Sequence, residues 1–300
     1  MATSEESKTG GTPAAFTGKV VVSGATGNIG QALLAAIATA HPDASVVALT
    51  RDPTTAKSKA LATGNVTVAA AAGASFDGAD AVIIVPPGAE DRAALSVAVA
   101  KAAAAAGVRK IISYSVPTGA ATHMFARQFR ELDAGVRAAA PAAVILKLPF
   151  FTDNNWGHAA TIKGMGKIFA PVAVGVGYAQ VTVGDAGAAG AAVLGSFDRL
   201  AGQTFTLVSN TASQADIAAA FGAALAKEVE AVEVPPAGAQ EALLGMGMPA
   251  WQVEGVLELW AAVTSDDAGV NVRSRDLEAL LGRKGTSIEE WVGAVKAGFA

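Results

Sequence analysis

Along the first half of the chain, short runs of β-branched and aliphatic residues alternate with alanine- and leucine-rich stretches of helical period. The first run, residues 19–23 (KVVVS), is closed at once by GATGNIG. A helical stretch from about 28 to 39 follows and ends at His41-Pro42-Asp43. With a second strand at 45–50, strand, glycine turn, helix and strand fall within about 30 residues, the length of one βαβ unit. The alternation continues with strands at 65–68, 81–85, 110–113 and 143–148, separated by helices at 54–62, 90–106 and 122–139. Strands that are apolar on both faces and alternate with helices predict an α/β fold, a doubly wound parallel Rossmann sheet covered on both sides.

After Pro149 the pattern loosens. A helix is expected at 153–162, then an irregular glycine-rich stretch at 164–178, and further helices at 184–195, 213–226, 238–244, 250–263 and 287–297. Thr211 or Ser213 caps the helix at 213–226. A seventh strand is expected near 204–208. The expected organisation is a disordered tail over 1–17, a nucleotide-binding Rossmann domain over 18–150 joined by that late strand, and a smaller, mostly helical substrate lobe over 151–300. Met246, Met248, Trp251 and Trp260 read as core of that lobe.

Composition narrows the function classes. The chain has 300 residues, 52% of them hydrophobic, enough for a sizeable core. A net charge of −4 argues against a nucleic-acid partner, which needs a basic face. Cysteine is absent and the three histidines, His41, His123 and His158, lack metal-ligand spacing, so no metal site is expected. Mean hydropathy is +0.40, yet the apolar runs are broken, as by Lys101 within residues 97–108. None approaches the roughly 20 apolar residues of a spanning helix. The opening MATSEESKTGGTPAAFTG lacks the basic and apolar regions of a signal peptide, so a cytoplasmic protein without membrane association is expected.

Candidate chemistry begins at the glycine turn. Gly24, Gly27 and Gly30, with Thr26, Asn28 and Ile29 between them, close a buried strand and open a helix. In a dinucleotide fingerprint the first glycine makes the turn, the second admits the pyrophosphate and the third lets helix pack on strand. The helix N-terminus then offers N–H groups to the phosphates. NAD sites place an acid at the end of the second strand, whereas this strand ends Leu49-Thr50-Arg51-Asp52. Arg51 suits a 2′-phosphate, so NADP(H) is the expected cofactor. Lys57 and Lys59 would add positive potential, and Asp52 would cap the next helix.

GATGNIG, LTRDP at the second strand, KIISYS at the fifth and LKLPFFTDN at the sixth resemble the NmrA-like, atypical short-chain dehydrogenases. VTVGDAGAAGAAVL, TFTLVSN and GMPAWQVEGVLELWAAV extend the resemblance over about residues 18 to 300. That family includes NADPH quinone reductases, triphenylmethane reductase and NmrA-type regulators. The resemblance implies that the loops after strands four, five and six line the nicotinamide, namely Val85, Pro86 and Pro87, then Ser113 and Tyr114, then Pro149, Phe150 and Phe151.

The proton-donating Tyr-x-x-x-Lys pair of typical short-chain dehydrogenases is missing: Tyr114 and Tyr178 are followed four residues later by Thr118 and Thr182. Ser113, Tyr114 and His123 remain as catalytic candidates, His123 with Arg127 four residues on as a stand-in pair. A simple ketone needs a proton as hydride arrives, whereas a quinone, an iminium or a delocalised cation gives a stabilised product without one. The expected function is therefore an NADPH-dependent reductase of a quinone-like or similarly activated small molecule. Phe150, Phe151 and Trp156 could wall its pocket, with Asn154 or Asn155 binding an oxygen and His158 facing the same cleft; the same aromatics could instead pack a hinge between lobes. The alternative is a non-catalytic NADP(H)-sensing regulator that binds a protein partner, and an isomerase is disfavoured by the missing pair. A homodimer is left open.

Overall fold

The computed structural model describes residues 15–119, 121–265 and 270–300. Its strands are β1 (Lys19–Val22), β2 (Ser45–Thr50), β3 (Val66–Ala70), β4 (Ala81–Ile84), β5 (Lys110–Ser115), β6 (Val144–Lys147), β7 (Phe150–Phe151), β8 (Lys167–Ala170), β9 (Tyr178–Val181), β10 (Thr204–Thr206), β11 (Asn210–Ala212) and β12 (Glu230–Glu233). Its helices are α1 (Asn28–Ala40), α2 (Ala56–Lys59), α3 (Arg92–Ala105), α4 (Met124–Ala139), α5 (Ala159–Met165), α6 (Val183–Gly195), α7 (Phe197–Leu200), α8 (Gln214–Leu225), α9 (Pro236–Gly245), α10 (Ala250–Thr264), α11 (Asp276–Leu281) and α12 (Ile288–Val295).

Seven strands form one parallel sheet in the order β10-β6-β5-β4-β1-β2-β3. The order reverses between β1 and β4, the switch point at which an open α/β sheet binds its ligand. Strand residues feed two cores in alternation. Val20, Val22, Ile83, Ile112 and Tyr114 pack under α1 and α6, while Val21, Val82, Ile84 and Ile111 pack under α3 and α4. Both faces are buried, which is why these strands read as continuous apolar runs.

Helix α6 lies directly on α1. A Cβ at Gly187 would fall 2.6 Å from the Ala32 carbonyl carbon, and one at Gly190 would fall against the Tyr114 hydroxyl and 2.8 Å from Leu33 Cδ1. The two glycines thus set the approach of the helices. At the chain's start, Phe16 is docked: its N–H donates to His41 Nδ1 (3.0 Å), and His41 Nε2 bonds the Ala191 carbonyl of α6. The expected tail over 1–17 is corrected at this point, and residues 1–14 lie outside the described residues.

The remaining strands build the second half. β9 pairs with β7 in parallel and β11 in antiparallel fashion, and β8 pairs with β12. A third core, with Ile162, Ile168, Ile217, Phe221, Trp291 and Phe299, fills it. The glycine-rich stretch expected to be irregular contains β8 and runs into β9, because distant partners supply pairing that the local sequence does not announce. The expected helix at 54–62 contracts to α2. Thr55 caps it by accepting from the Ser58 N–H, while Asp52 accepts instead from Thr54. Of the residues expected as core of the second half, Trp260 does pack there with Phe150 and Tyr178, whereas Trp251 meets Phe125 on the sheet side and Met246 is 68% exposed. Among the described residues no helix is long and apolar enough to cross a membrane.

Candidate functional site

The glycine turn sits between β1 and α1 at the switch point, and its three glycines have different jobs. Gly24 adopts φ +66°, and a Cβ there would meet the Val85 carbonyl oxygen at 2.5 Å. A Cβ at Gly30 would fall 2.4 Å from the Gly24 oxygen, so this glycine lets the helix seat on the turn. Gly27 has ordinary backbone, and its Cβ would meet only the Gly24 oxygen at 3.3 Å; what it faces is open. No side chain caps α1 and no acid lies in its first turn. By contrast α4, α6, α8 and α12 are capped by His123, Thr182, Ser213 and Ser287. The first-turn amides of this 13-residue helix are therefore left without a side-chain cap, at its positive dipole end. Half-buried Thr26 and exposed Asn28 lie in the turn, and Ile29 is buried in the core beneath.

At the carboxyl end of β2, Thr50 is buried and its Oγ1 has no hydrogen-bond partner among the described residues. Arg51 is exposed and makes no hydrogen bond or ion pair with any described residue. The Asp52 carboxylate is turned away into the loop, where it accepts from Thr54 N–H (2.8 Å) and Oγ1 (2.6 Å). These bonds hold it below the usual carboxylate range. Lys57 and Lys59 are exposed.

On the other side of the switch point, Val85 donates its N–H to Ser23 Oγ (3.3 Å), tying the β4 loop to the end of β1. Pro86 and Pro87 are half-buried at the carboxyl end of the sheet, and Pro149 is buried beside them in the β6 loop. Two of the catalytic candidates lie inside the protein. Ser113 is wholly buried, its Oγ against the Tyr114 carbonyl. Tyr114 donates its hydroxyl to the Ala186 carbonyl of α6 (2.8 Å), and burial pushes the phenol above its ordinary value. It is a strut between sheet and helix. The second tyrosine is likewise enclosed, since the Tyr178 hydroxyl accepts from Gln214 Nε2 (2.9 Å). His123 is the cap of α4, its Nδ1 accepting from the Ala126 N–H (3.1 Å). Arg127 donates to the Thr122 carbonyl (2.6 Å), so the expected His–Arg pair is not assembled.

The FFTDNNW segment is also divided. Phe150 packs into the third core, 5.1 Å from Tyr178 and 5.0 Å from Trp260, whereas Phe151 packs on the Rossmann core under α1 and α6. Trp156 stacks on Phe299 at 4.6 Å. Asn155 is buried and donates to the Thr152 carbonyl (2.7 Å), while Asn154 and Trp156 are exposed. Phe150 and Phe151 thus sit on two different cores. Asp153, within the same segment, accepts from the Val183 N–H (2.8 Å) and faces Trp291 Nε1 (3.4 Å).

Burial pulls the His158 pKa from 6.5 down to about 4. The unfolded chain therefore takes up a proton first as pH falls. Stabilisation by the neutral ring is complete above pH 6.5 and is lost between 6.5 and 4. Between pH 7 and pH 5 the wild type is expected to lose on the order of 1–2 kcal/mol more than His158→Gln, measured by urea unfolding. Equal losses would show that the ring is solvated.

Two residues that sequence reasoning passed over stand out. Asp185 is 1% exposed and accepts from Ser209 Oγ (2.6 Å), the Thr286 N–H (2.7 Å) and Arg283 Nη2 (2.7 Å). Its signal was present as Thr182-x-x-Asp185, a helix-start pattern. Arg92, at the head of α3, had no local signal.

Residues 17–292 match the NmrA-like family. Among curated proteins none matches the chain in sequence. Solved structures that share its fold include an NADPH-dependent quinone oxidoreductase from Escherichia coli complexed with NADPH, at 23% identity and a TM-score of 0.77 over 92% of this chain and 99% of that one. Triphenylmethane reductase from Citrobacter sp., complexed with NADP(H), aligns at 22% identity and 0.79 over 92% and 99%. NmrA, a negative transcriptional regulator in complex with NAD, aligns at 18% identity and 0.74 over 93% and 95%. With a doubly wound sheet, a glycine cradle at its switch point and a family match over most of its length, the chain belongs to the NmrA-like family.

Proposed function

We propose that this chain is an NADP(H)-dependent reductase acting on a quinone-like acceptor. The observation that carries the cofactor choice is the end of β2, where a neutral threonine stands in place of a ribose-binding acid and the adjacent Arg51 has no ion pair among the described residues. The open glycine cradle fits a pyrophosphate, which the Asn28, Ile29 and Gly30 amides would hold. Val85, Pro86, Pro87 and Pro149 border the half of the sheet that would receive the nicotinamide. When bound, the dinucleotide supplies a hydride. The chain's own part is to align donor and acceptor and to exclude water. Tyr114 and His123 are committed to structural bonds, so the acceptor must hold its new charge without help from a positioned acid. The quinone oxidoreductase and triphenylmethane reductase that share the fold support this reading.

That same commitment of Tyr114 and His123 favours a second reading, a non-catalytic NADP(H) sensor with a protein partner. One experiment separates them: NADPH consumption with quinones, cationic dyes and plain ketones. Turnover of activated acceptors with little on ketones supports the reductase. Tight NADPH binding with no turnover supports the sensor. In calorimetry, Arg51→Ala is expected to weaken NADPH binding by roughly 1.5–3 kcal/mol, the worth of hydrogen bonds to a charged group, and to leave NADH nearly unchanged. Equal losses would remove Arg51 as the discriminator.

A further inference from the structure

Arg92 opens α3 directly after the β4 loop. Its guanidinium carbon lies 5.0 Å from the ring centre of Phe125, 5.4 Å from Phe129 and 5.3 Å from Trp251. Phe125 and Phe129 come from α4 and Trp251 from α10, so three helices meet around one cation. The cage is close-packed. Phe125 and Trp251 meet edge to face, and a Cβ at Gly255 of α10 would fall 2.5 Å from the Phe125 ring. Arg92 Nε donates to the Ala89 carbonyl (3.0 Å), and Gln128 Nε2 holds the Glu90 carbonyl (3.0 Å), so the approach to the helix is fixed.

The terminal nitrogens are not used in this way. Among the described residues Arg92 has no ion pair, and its only hydrogen bond is through Nε. Its neighbours Glu90 and Asp91 are exposed, and Glu258 of α10 accepts from the Met124 N–H (2.7 Å). A partly buried guanidinium without a carboxylate has lost water and gained no counter-charge; burial draws its pKa below the ordinary arginine value. Three aromatic rings within 5.4 Å hold the guanidinium, and its terminal nitrogens make no hydrogen bond with any described residue. Helices α3 and α4 both start at the carboxyl end of the sheet, on the β4–β5 side of the switch point. That is the side opposite Arg51, where an acceptor would meet the nicotinamide.

We propose that Arg92 selects the acceptor: its terminal nitrogens bind an oxygen of a neutral or anionic quinone-type molecule, and its charge turns away cationic acceptors such as triphenylmethane dyes. This deepens the reductase reading and rests on it. In the reaction, NADPH gives up a hydride, two electrons with one proton, and becomes NADP+. The quinone becomes a hydroquinone monoanion, whose oxygen pairs with Arg92, and water supplies the second proton.

The test uses the full chain, Arg92→Met and Arg92→Lys. NADPH oxidation is followed with a neutral quinone, a hydroxyquinone ionised at the assay pH and a cationic triphenylmethane dye. Calorimetry then measures binding of a phenolate in the presence of NADP+. The wild type should prefer the oxygen acceptors. Arg92→Met should lose about 10- to 100-fold in kcat/KM on them. It should also bind the phenolate more weakly, gain activity on the dye and keep its NADPH affinity. Arg92→Lys should keep rejecting the dye and fall between the two on quinones. A merely structural role would not raise dye activity. If Arg92→Met does not fold, Arg92→Lys decides, and wild-type kcat/KM on quinones in that variant overturns the proposal. So does a wild-type preference for the dye, or an Arg92→Met unchanged on every acceptor. If the wild type turns over nothing, the reductase reading fails, while phenolate binding still decides the role of Arg92: equal binding by both forms overturns it.

Discussion

Gly27→Val is expected to fold like the wild type and to lose NADPH binding by about 100-fold or more. Its backbone lies at φ −73° and ψ 167°, which any residue adopts, and a Cβ would meet one carbonyl oxygen at 3.3 Å. Little inside the protein resists the side chain. What it blocks is the approach of a phosphate to the first-turn amides of α1. Displacing the pyrophosphate breaks at least two hydrogen bonds to a charged group, each worth roughly 1.5–3 kcal/mol, hence the 100-fold. Gly30→Val, three residues on, is the contrast. Its Cβ would sit 2.4 Å from the Gly24 oxygen, so helix and turn must separate and the loss should appear in folding stability. Circular dichroism with NADPH titration reads both. A folded Gly27→Val that binds NADPH as tightly as the wild type would show that the cradle holds no phosphate.

The second large effect is expected at Asp185. Asp185→Ala leaves the Ser209 hydroxyl, the Thr286 N–H and the Arg283 guanidinium without their shared acceptor. Loss of one partner of a buried charged pair costs several kcal/mol; Arg283 is 53% exposed and can recover water, so about 3 kcal/mol is expected, measured by chemical denaturation at pH 7. Burial alone would raise the Asp185 pKa, but the hydrogen bonds from Ser209 and Thr286 and the Arg283 pair outweigh it and hold it below the ordinary carboxylate value of 3.8. The unfolded chain therefore takes up the proton first. The contribution is complete above about pH 4 and is lost as pH falls through the folded-state value, so the gap between wild type and variant should close on the acid side. A loss under about 1 kcal/mol at neutral pH would mean that the three donors find water instead.

What the sequence disclosed and what it withheld follow the reach of each interaction. The seven-stranded sheet was legible because strands such as KVVV and AVII are apolar on both faces and alternate with helices. β12, EAVE, carries no such run and is a strand only because β8 pairs with it. The glycine turn was legible because its three roles are local. Tyr114 was read as a catalytic candidate because its partner, the Ala186 carbonyl, lies 72 residues away. His123 was read on a helix face when it is the cap that starts the helix. The cage around Arg92 draws on three separate helices, and no window of sequence contains it.

The main sheet is not completed in chain order. Its sixth strand ends at Lys147, but β10 and the helix that backs α1 are supplied by residues 183–206, after the chain has already laid down β7, β8 and β9. During synthesis, then, the glycine turn leaves the ribosome well before α6, and the face of Leu33, Ile37 and Tyr114 behind it stays uncovered until α6 emerges. The part of this protein that is easiest to read is therefore among the last to become rigid, and a nascent chain halted before α6 would carry the motif without the scaffold that aims it.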